Sequence, residues 1–310
     1  MFTKTALALT TLAAAAALSG GGTAAHATQA NPATNTATVG KTACAGLSTA
    51  QPVAPHTAES ATPVSVAEAA AVGQYKARHN AQEAQLRQLG AGAAAGREQK
   101  LAGMRAGDYR SASSRCAGTA AQQNVAPQDT VIGGLVHWGQ ITNWFCGPAT
   151  VSEMSGSVPG PSSGHLSQNT AASYMGTTQA DGTTDAAMVN GLNYFVGQPD
   201  FNRNFYAFVW VSDTPTSAER SSFINDLHTD IGVYSPVAGN GWEVPGGPHL
   251  VGHPANEEIF HFFQIGGYNT DSSQVYYSDS ANTVWSSVPD FSWFNTYTLV
   301  TILGGRGYVW

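Results

Sequence analysis

The sequence predicts an α+β fold in which N-terminal helices pack on a C-terminal antiparallel sheet, preceded by a helical and low-complexity N-terminal segment. Three observations lead there. All seven tryptophans lie beyond residue 131, so a packed core belongs to the second half of the chain. Within that half, helical patterns come first and strand-like runs dominate the end. The regular alternation of strand and helix that marks a parallel sheet is absent.

Composition narrows the class further. Of 310 residues only 11% are charged, and 13 basic side chains stand against 20 acidic ones, a formal charge of −7. That balance argues against neutralising phosphates, so nucleic acid is not an expected partner. Three cysteines are too few for a disulfide scaffold. With no apolar run of about 18 residues beyond the N-terminus, a polytopic membrane protein is excluded.

From the N-terminus, Met1 to Lys4 is a short basic start, Ala6 to Leu18 is alanine-rich and apolar, and Ala25-His26-Ala27 offers a small-x-small cleavage pattern. Residues 1–27 therefore read as a secretory signal peptide, too short and too weakly apolar to span a membrane. The mature chain is expected outside the cell, as a monomer with no membrane span after processing.

Residues 28–126 read as a low-complexity and helical pro-region or linker. Thr28 to Pro63 is dominated by Ala, Thr, Pro, Gln and Asn and reads as a disordered linker. Ser65 and Glu68 form a capping box opening a helix that Gly90 stops, and a second helix covers 93–105. Neither has a wide apolar face, so each must fray or dock on something else. Charge points to docking: residues 28–115 carry nine basic and five acidic side chains, whereas the remainder carries three and fifteen. A basic segment seated on an acidic domain, as a regulatory or folding pro-segment, is the expectation.

Residues 127–310 hold the core. Helical patterns cover Cys146 to Ser155, Ser167 to Tyr174, Thr184 to Phe195 and Ser217 to Thr229; strand patterns cover Phe205 to Val211, Phe260 to Tyr268, Gln274 to Ser278 and Tyr297 to Leu303.

Cys146-Gly147-Pro148 places a cysteine where proline starts a helix. Orphan N–H groups and the positive end of the helix dipole stabilise a thiolate there. Three cysteines leave at least one unpaired; Cys44 and Cys116 pairing together would free Cys146, although either could equally remain reduced. A thiolate nucleophile needs a base. His261 opens a strand that turns through Asn269 to Ser272 and returns to Asp279, a hairpin whose register, centred near residue 270, sets His261 opposite Asp279. A carboxylate there fixes the imidazole tautomer and stabilises the imidazolium. Asp271, within the turn, ranks below it.

These residues carry a resemblance. Gln140 with Cys146 six residues on, the Cys146-Gly147-Pro148-Ala149 helix start, the His261 to Tyr268 strand ending in Gly-Gly-Tyr and the Tyr277-Ser278-Asp279-Ser280 return resemble the papain-like cysteine peptidases of the bacteriocin-leader-processing (double-glycine) type. The resemblance runs from about Leu135 to Ser280. It implies a papain-like fold, Cys146 as nucleophile, His261 as general base and acid, Asp279 as its orienter and Gln140 as oxyanion-hole donor. The chain departs from the pattern where Ser280 follows Asp279 in place of proline, and where Gly239 to Pro254 reads as an insertion before His261.

The implied activity is a secreted cysteine peptidase acting on a peptide or protein through a thioester, without cofactor or metal. Rival readings are an inactive secreted module binding peptide or cell-wall glycan, and a transglutaminase-type acyltransferase. His249 and His253 are four apart, but glycine and proline around them forbid the helix that would present both to a metal. That loop, with Trp242, is expected to flank the cleft and touch substrate. Glu257 and Glu258 read as solvated surface. Asp181 to Asp185 lacks the alternating ligands of a calcium loop.

Overall fold

The computed structural model describes residues 54–106, 129–160 and 162–310. The expected signal peptide, Cys44 and Cys116 lie outside them. The elements run, in chain order, α1 (Ala58–Ala61), α2 (Val66–His79), α3 (Glu83–Ala106), β1 (Thr130–Val131), α4 (Cys146–Ser157), α5 (Gln168–Met175), α6 (Asp185–Leu192) with a π-helical extension (Asn193–Gly197), α7 (Gln198–Phe201), β2 (Phe208–Trp210), α8 (Ser217–Ile231), β3 (Val237–Glu243), β4 (Ile259–Tyr268), β5 (Gln274–Ser278), a 3₁₀ turn (Ser280–Thr283), β6 (Phe291–Asn295), α9 (Thr296–Leu303) and β7 (Gly307–Val309). This is an α+β fold, mixed helices on an antiparallel sheet.

The strands pair in the order β2-β7-β3-β4-β5-β6, with β1 added against β4, and every pairing is antiparallel. Side chains alternate along β4, so neighbouring residues serve two cores. Phe262 joins Val151 and Met154 of α4, Met175 of α5 and Leu192 of α6. Phe263 and Ile265 join Phe223 and Leu227 of α8 and Leu299 and Ile302 of α9.

Several expectations are corrected. Tyr297 to Leu303 is helix, not strand: Asn295 caps it by accepting the Thr298 N–H, and its β-branched side chains are buried. The stretch read as an insertion, Gly239 to Pro254, begins within β3, a central strand with all seven residues buried, so its first five residues belong to the sheet. A Cβ at Gly239 would meet the Phe263 ring at 2.5 Å, which is why glycines interrupt the alternation a strand usually shows.

Gly90 does not stop a helix. α3 runs through it, and the break falls at Asn80, whose side chain donates to Asp213 Oδ1 (2.9 Å) and the Gly305 carbonyl (3.0 Å). Part of the expected linker is also ordered: Thr57 caps α1, and His56 stacks on Trp293 with ring centroids 4.2 Å apart. Ser65 accepts the Glu68 N–H, one half of the expected capping box.

The N-terminal helices dock by buried cations together with a few apolar side chains, Val72 of α2 and Leu86 of α3 among them. The buried Lys76 ammonium of α2 donates to the carbonyls of Thr301, Ile302 and Gly304 at 2.7–2.9 Å, satisfying acceptors that the end of α9 would leave orphaned. Burial holds its pKa well below the usual lysine value. On α3, Lys100 meets Asp230 of α8 at 2.7 Å, over the rings of Phe205 and Trp310, and Arg97 meets Asp226. Burial lowers Lys100 to about 8 and raises Asp230 to about 7, the attraction between them only partly opposing it.

Two linked predictions follow. Lys100→Met strands the buried Asp230 and should cost about 3–5 kcal/mol in denaturant unfolding, while adding Asp230→Leu should recover most of that loss. The Asp230 contribution to stability falls as pH rises from its unfolded value towards 7. The Lys100 contribution rises as pH rises from 8 towards its unfolded value. This pair is therefore least favourable near pH 7–8, and the doubly substituted chain should lose that dip in a pH–stability curve.

Candidate active site

Helix α4 starts at Cys146 itself, with no side-chain cap on its N-terminus. In that first turn the Gly147 N–H reaches the sulfur, while Pro148 has none to offer and the Ala149 N–H bonds the Phe145 carbonyl. A Cβ at Gly147 would collide with the Thr183 side chain, so the loop before α6 closes directly over the helix start. Cys146 is a free thiol, half-buried.

Strand β4 brings His261 to that sulfur. The Cys146 side chain hydrogen-bonds His261, and the backbone N–H groups of Phe262 and Gly147 also stabilise its thiolate. On the far side of the ring, His261 Nε2 lies 2.9 Å from Asp279 Oδ1, which leaves Nδ1 for the sulfur. His261 and Asp279 are almost inaccessible to solvent.

The expected register does not hold. Gln264 faces Ser278 and Ile265 faces Tyr277, and a bulge then shifts the pairing to Gly267 opposite Tyr276. Continued past the end of β5, that ladder sets Asp279 nearer Phe263 than His261. Asp279 meets His261 because it caps the 3₁₀ turn, where Oδ1 also accepts the Ala281 N–H at 2.9 Å.

Electrostatics tie the three together. Burial alone would raise the Cys146 thiol, but the hydrogen bond and charge of His261 outweigh it and the pKa is lowered. Burial alone would lower the His261 imidazole, but the Asp279 charge and hydrogen bond, aided by Cys146, lift it well above the usual histidine value. Against its own burial, Asp279 is driven far below the carboxylate range by His261 and His253.

Gln140 is held nearby. Its N–H donates to the Ser280 carbonyl (2.9 Å), its side-chain amide to the Thr142 carbonyl (2.8 Å), and its Oε1 accepts from Ser280 Oγ (3.3 Å). An amide nitrogen carries two hydrogens, so a second donor remains. The loop bearing Gln140 is fastened to α4 through buried Glu153, which accepts from Trp138 N–H (2.9 Å) and Ser278 Oγ (3.1 Å) and pairs with His137 (3.2 Å).

Space opens on both sides of the pair. Cys146 and His261 line a cavity of 960 Å³ together with Leu86 and Leu89 of α3, Met175, Asp185 and Phe208. They also line a second, of 230 Å³, with Gln140, Glu257, Glu258 and Trp285. Asp185 is committed to Asn240 at 2.8 Å.

The loop expected to touch substrate does not line either cavity. Trp242 is buried and donates to Glu258 Oε1 (3.0 Å), His249 Nε2 lies 3.0 Å from the Glu257 carbonyl, and His253 sits behind Asp279. His253, expected as a substrate contact, instead stands between Asp279 and Glu243, and Glu243 carries no signal in the sequence. The histidine spacing drew attention to His253, but nothing marked glycine-interrupted β3 as the source of its carboxylate partner. Among the described residues, His253, His261 and Asp279 are the one group whose ligand atoms lie within 4.8 Å of one another. His261 hydrogen-bonds Asp279 Oδ1 and His253 faces Oδ2 at ion-pair distance, so we read them as a line of alternating charges rather than a metal centre.

The arrangement is that of a cysteine–histidine hydrolase site, and comparison with known families agrees. The family model described as Peptidase_C39 like matches residues 132–299, more than half of the chain, and the protein belongs to that family. Its function is accordingly cysteine peptidase-like. No curated protein sequence matches the chain.

The lowered thiol pKa gives a direct test. Cys146 should alkylate with iodoacetamide below the pH at which an ordinary thiol, of pKa about 8.5, reacts. In His261→Ala burial is opposed only by the Phe262 and Gly147 N–H groups, and the labelling edge should move upward. Mass-spectrometric mapping of the labelled peptide across pH measures both.

Proposed function

We propose that the protein is an exported cysteine peptidase of papain-like arrangement, hydrolysing a peptide-type amide through a thioester at Cys146. The observation that carries this reading is the hydrogen-bonded line from the Cys146 thiol through His261 to the buried Asp279 carboxylate, with cavities on both sides of the sulfur. The family match supports the class of chemistry.

In this reading the Cys146 thiolate attacks the amide carbon and a C–S bond forms. The carbonyl electron pair moves to oxygen, where the second Gln140 N–H and the Cys146 backbone N–H receive it. As the C–N bond breaks, the His261 imidazolium gives its proton to the departing amine. Neutral His261 then takes a proton from water, hydroxide adds to the thioester, and loss of the thiolate returns the acid and the starting charge state. Asp279 fixes the imidazole and remains a carboxylate throughout.

We read residues 1–27 as the export signal, removed to leave a monomer acting on peptides or proteins outside the cell. Within the structure no described helix is long and apolar enough to cross a membrane. Residues 28–126 are proposed as a pro-region that serves folding, because α2 and α3 supply buried cations to the rest of the chain and α3 walls the larger cavity.

Three substitutions test the mechanism. Cys146→Ala should abolish hydrolysis of a peptide library while leaving the melting curve unchanged; retained cleavage would refute the thioester route. Gln140→Ala should lower kcat by about 10²- to 10³-fold with less effect on KM. Asp279→Asn should slow turnover by about 10²-fold or more. Product analysis with and without a primary amine separates hydrolysis from acyl transfer. Deleting residues 28–115 should lower both thermal stability and activity at low salt, whereas a gain in activity would mark the segment as an inhibitor.

A further inference from the structure

Beyond His261, the buried chain of titratable groups continues. His253 Nε2 lies 3.1 Å from Asp279 Oδ2, on the side of the carboxylate opposite His261, and its Nδ1 lies 2.9 Å from Glu243 Oε1. The His253 and Glu243 side chains are wholly buried. Cys146, His261, Asp279, His253 and Glu243 thus form one line across the end of β3, β4 and β5. We propose that His253, clamped by Glu243, is a positioning residue for the reaction, standing as a cation that holds the Asp279 carboxylate ionised and turned so that Oδ1 meets His261.

The inference rests on the peptidase reading but asks for more than it does. A carboxylate shared by one imidazole and a single N–H would be free to rotate and would carry an uncompensated charge whenever His261 gave up its proton. His253 removes both freedoms. Burial works against a charged His253, yet Asp279 and Glu243 outweigh it and raise its pKa.

The charged and titratable groups around this pair are few. Asp279, Glu243 and the His261 ring, 5.3 Å away between centroids, face His253, and Trp285 packs on it at 4.9 Å. His249 Nε2 stands 3.9 Å from Glu243, while Lys76 and Tyr277 feel Glu243 through space. His137 feels Asp279. Of these groups His253 is the one, besides His261, in ion-pair contact with Asp279, which places it to balance that carboxylate when His261 is neutral.

The test follows Cys146 alkylation by iodoacetamide in the full chain, located by peptide mapping so that Cys44 and Cys116 do not contribute. Losing a cation raises nearby pKa values, so His253→Gln should shift the labelling edge of Cys146 upward by about 0.5–1 pH unit. A merely structural role would change the labelled fraction without moving the edge. A folded His253→Gln variant with an unmoved edge would overturn the proposal. Nitrogen-15 histidine spectra of the unsubstituted protein give a check that needs no variant: the His253 ring should hold protons on both nitrogens at pH 7, and a neutral ring there would overturn the proposal equally. If unsubstituted Cys146 instead labels like an ordinary thiol, the peptidase reading itself fails, an outcome distinct from either of these.

Discussion

A carboxylate shut away from water has to be held by donors and cations, and Asp279 is the point on which the site turns. It is 1% exposed; Oδ1 accepts from Ala281 N–H and meets His261, while Oδ2 faces His253 at ion-pair distance. Each partner comes from a different stretch of chain: the turn after β5, the strand β4 and the loop after β3. Folding cannot bury this carboxylate until those pieces are assembled, because an unpaired buried charge costs more than the neighbouring contacts return. The site therefore forms together with the centre of the sheet and is not an addition to its surface.

The same economy governs the N-terminal helices. α2 and α3 are alanine- and glycine-rich and have little apolar surface to bury, so propensity and hydrophobic stripe together would leave them marginal. Two lysines change that. Lys76 finishes the open carbonyl end of α9, and Lys100 enters an aromatic pocket to meet Asp230. The charge division between the halves of the sequence is thus expressed as a few buried, specific contacts and not as a diffuse attraction. Because α3 also lines the cavity beside Cys146, the segment that these lysines anchor helps to shape the space open to substrate.

Much of this was legible in the sequence where the signal was local. Proline after Cys146-Gly147, the serine and threonine caps of α2, α6 and α8, and the apolar runs of β4 and β5 each declare an element through chemistry within a few residues. What failed depended on distant partners. Thr296 to Leu303 has the β-branched texture of a strand and is a helix because Asn295 caps one end and Lys76, more than two hundred residues earlier, completes the other. β3 hides behind glycines whose purpose is to admit the Phe263 ring from the next strand. The meeting of His261 with Asp279 was foreseen by counting residues around a turn, yet the bulge moves the register and a capping geometry restores the contact.

The alternation of charge along the buried line explains how so many ionisable groups tolerate the absence of water. In the proposed resting state the sequence is Glu243 anion, His253 cation, Asp279 anion, His261 cation, Cys146 anion, each flanked by its opposite. Acylation removes the charge from sulfur and the proton from His261 together, the proton leaving on a neutral amine. The line carries one net negative charge before that step and one after it. The surrounding dipoles, fixed by folding, consequently face the same total charge throughout, and little reorganisation is asked of the protein as the thioester forms. His253 remains charged while His261 is neutral, so Asp279 keeps one cationic neighbour in every state. Removing that neighbour would oblige the carboxylate either to take up a proton or to admit water, and both would loosen its hold on the imidazole.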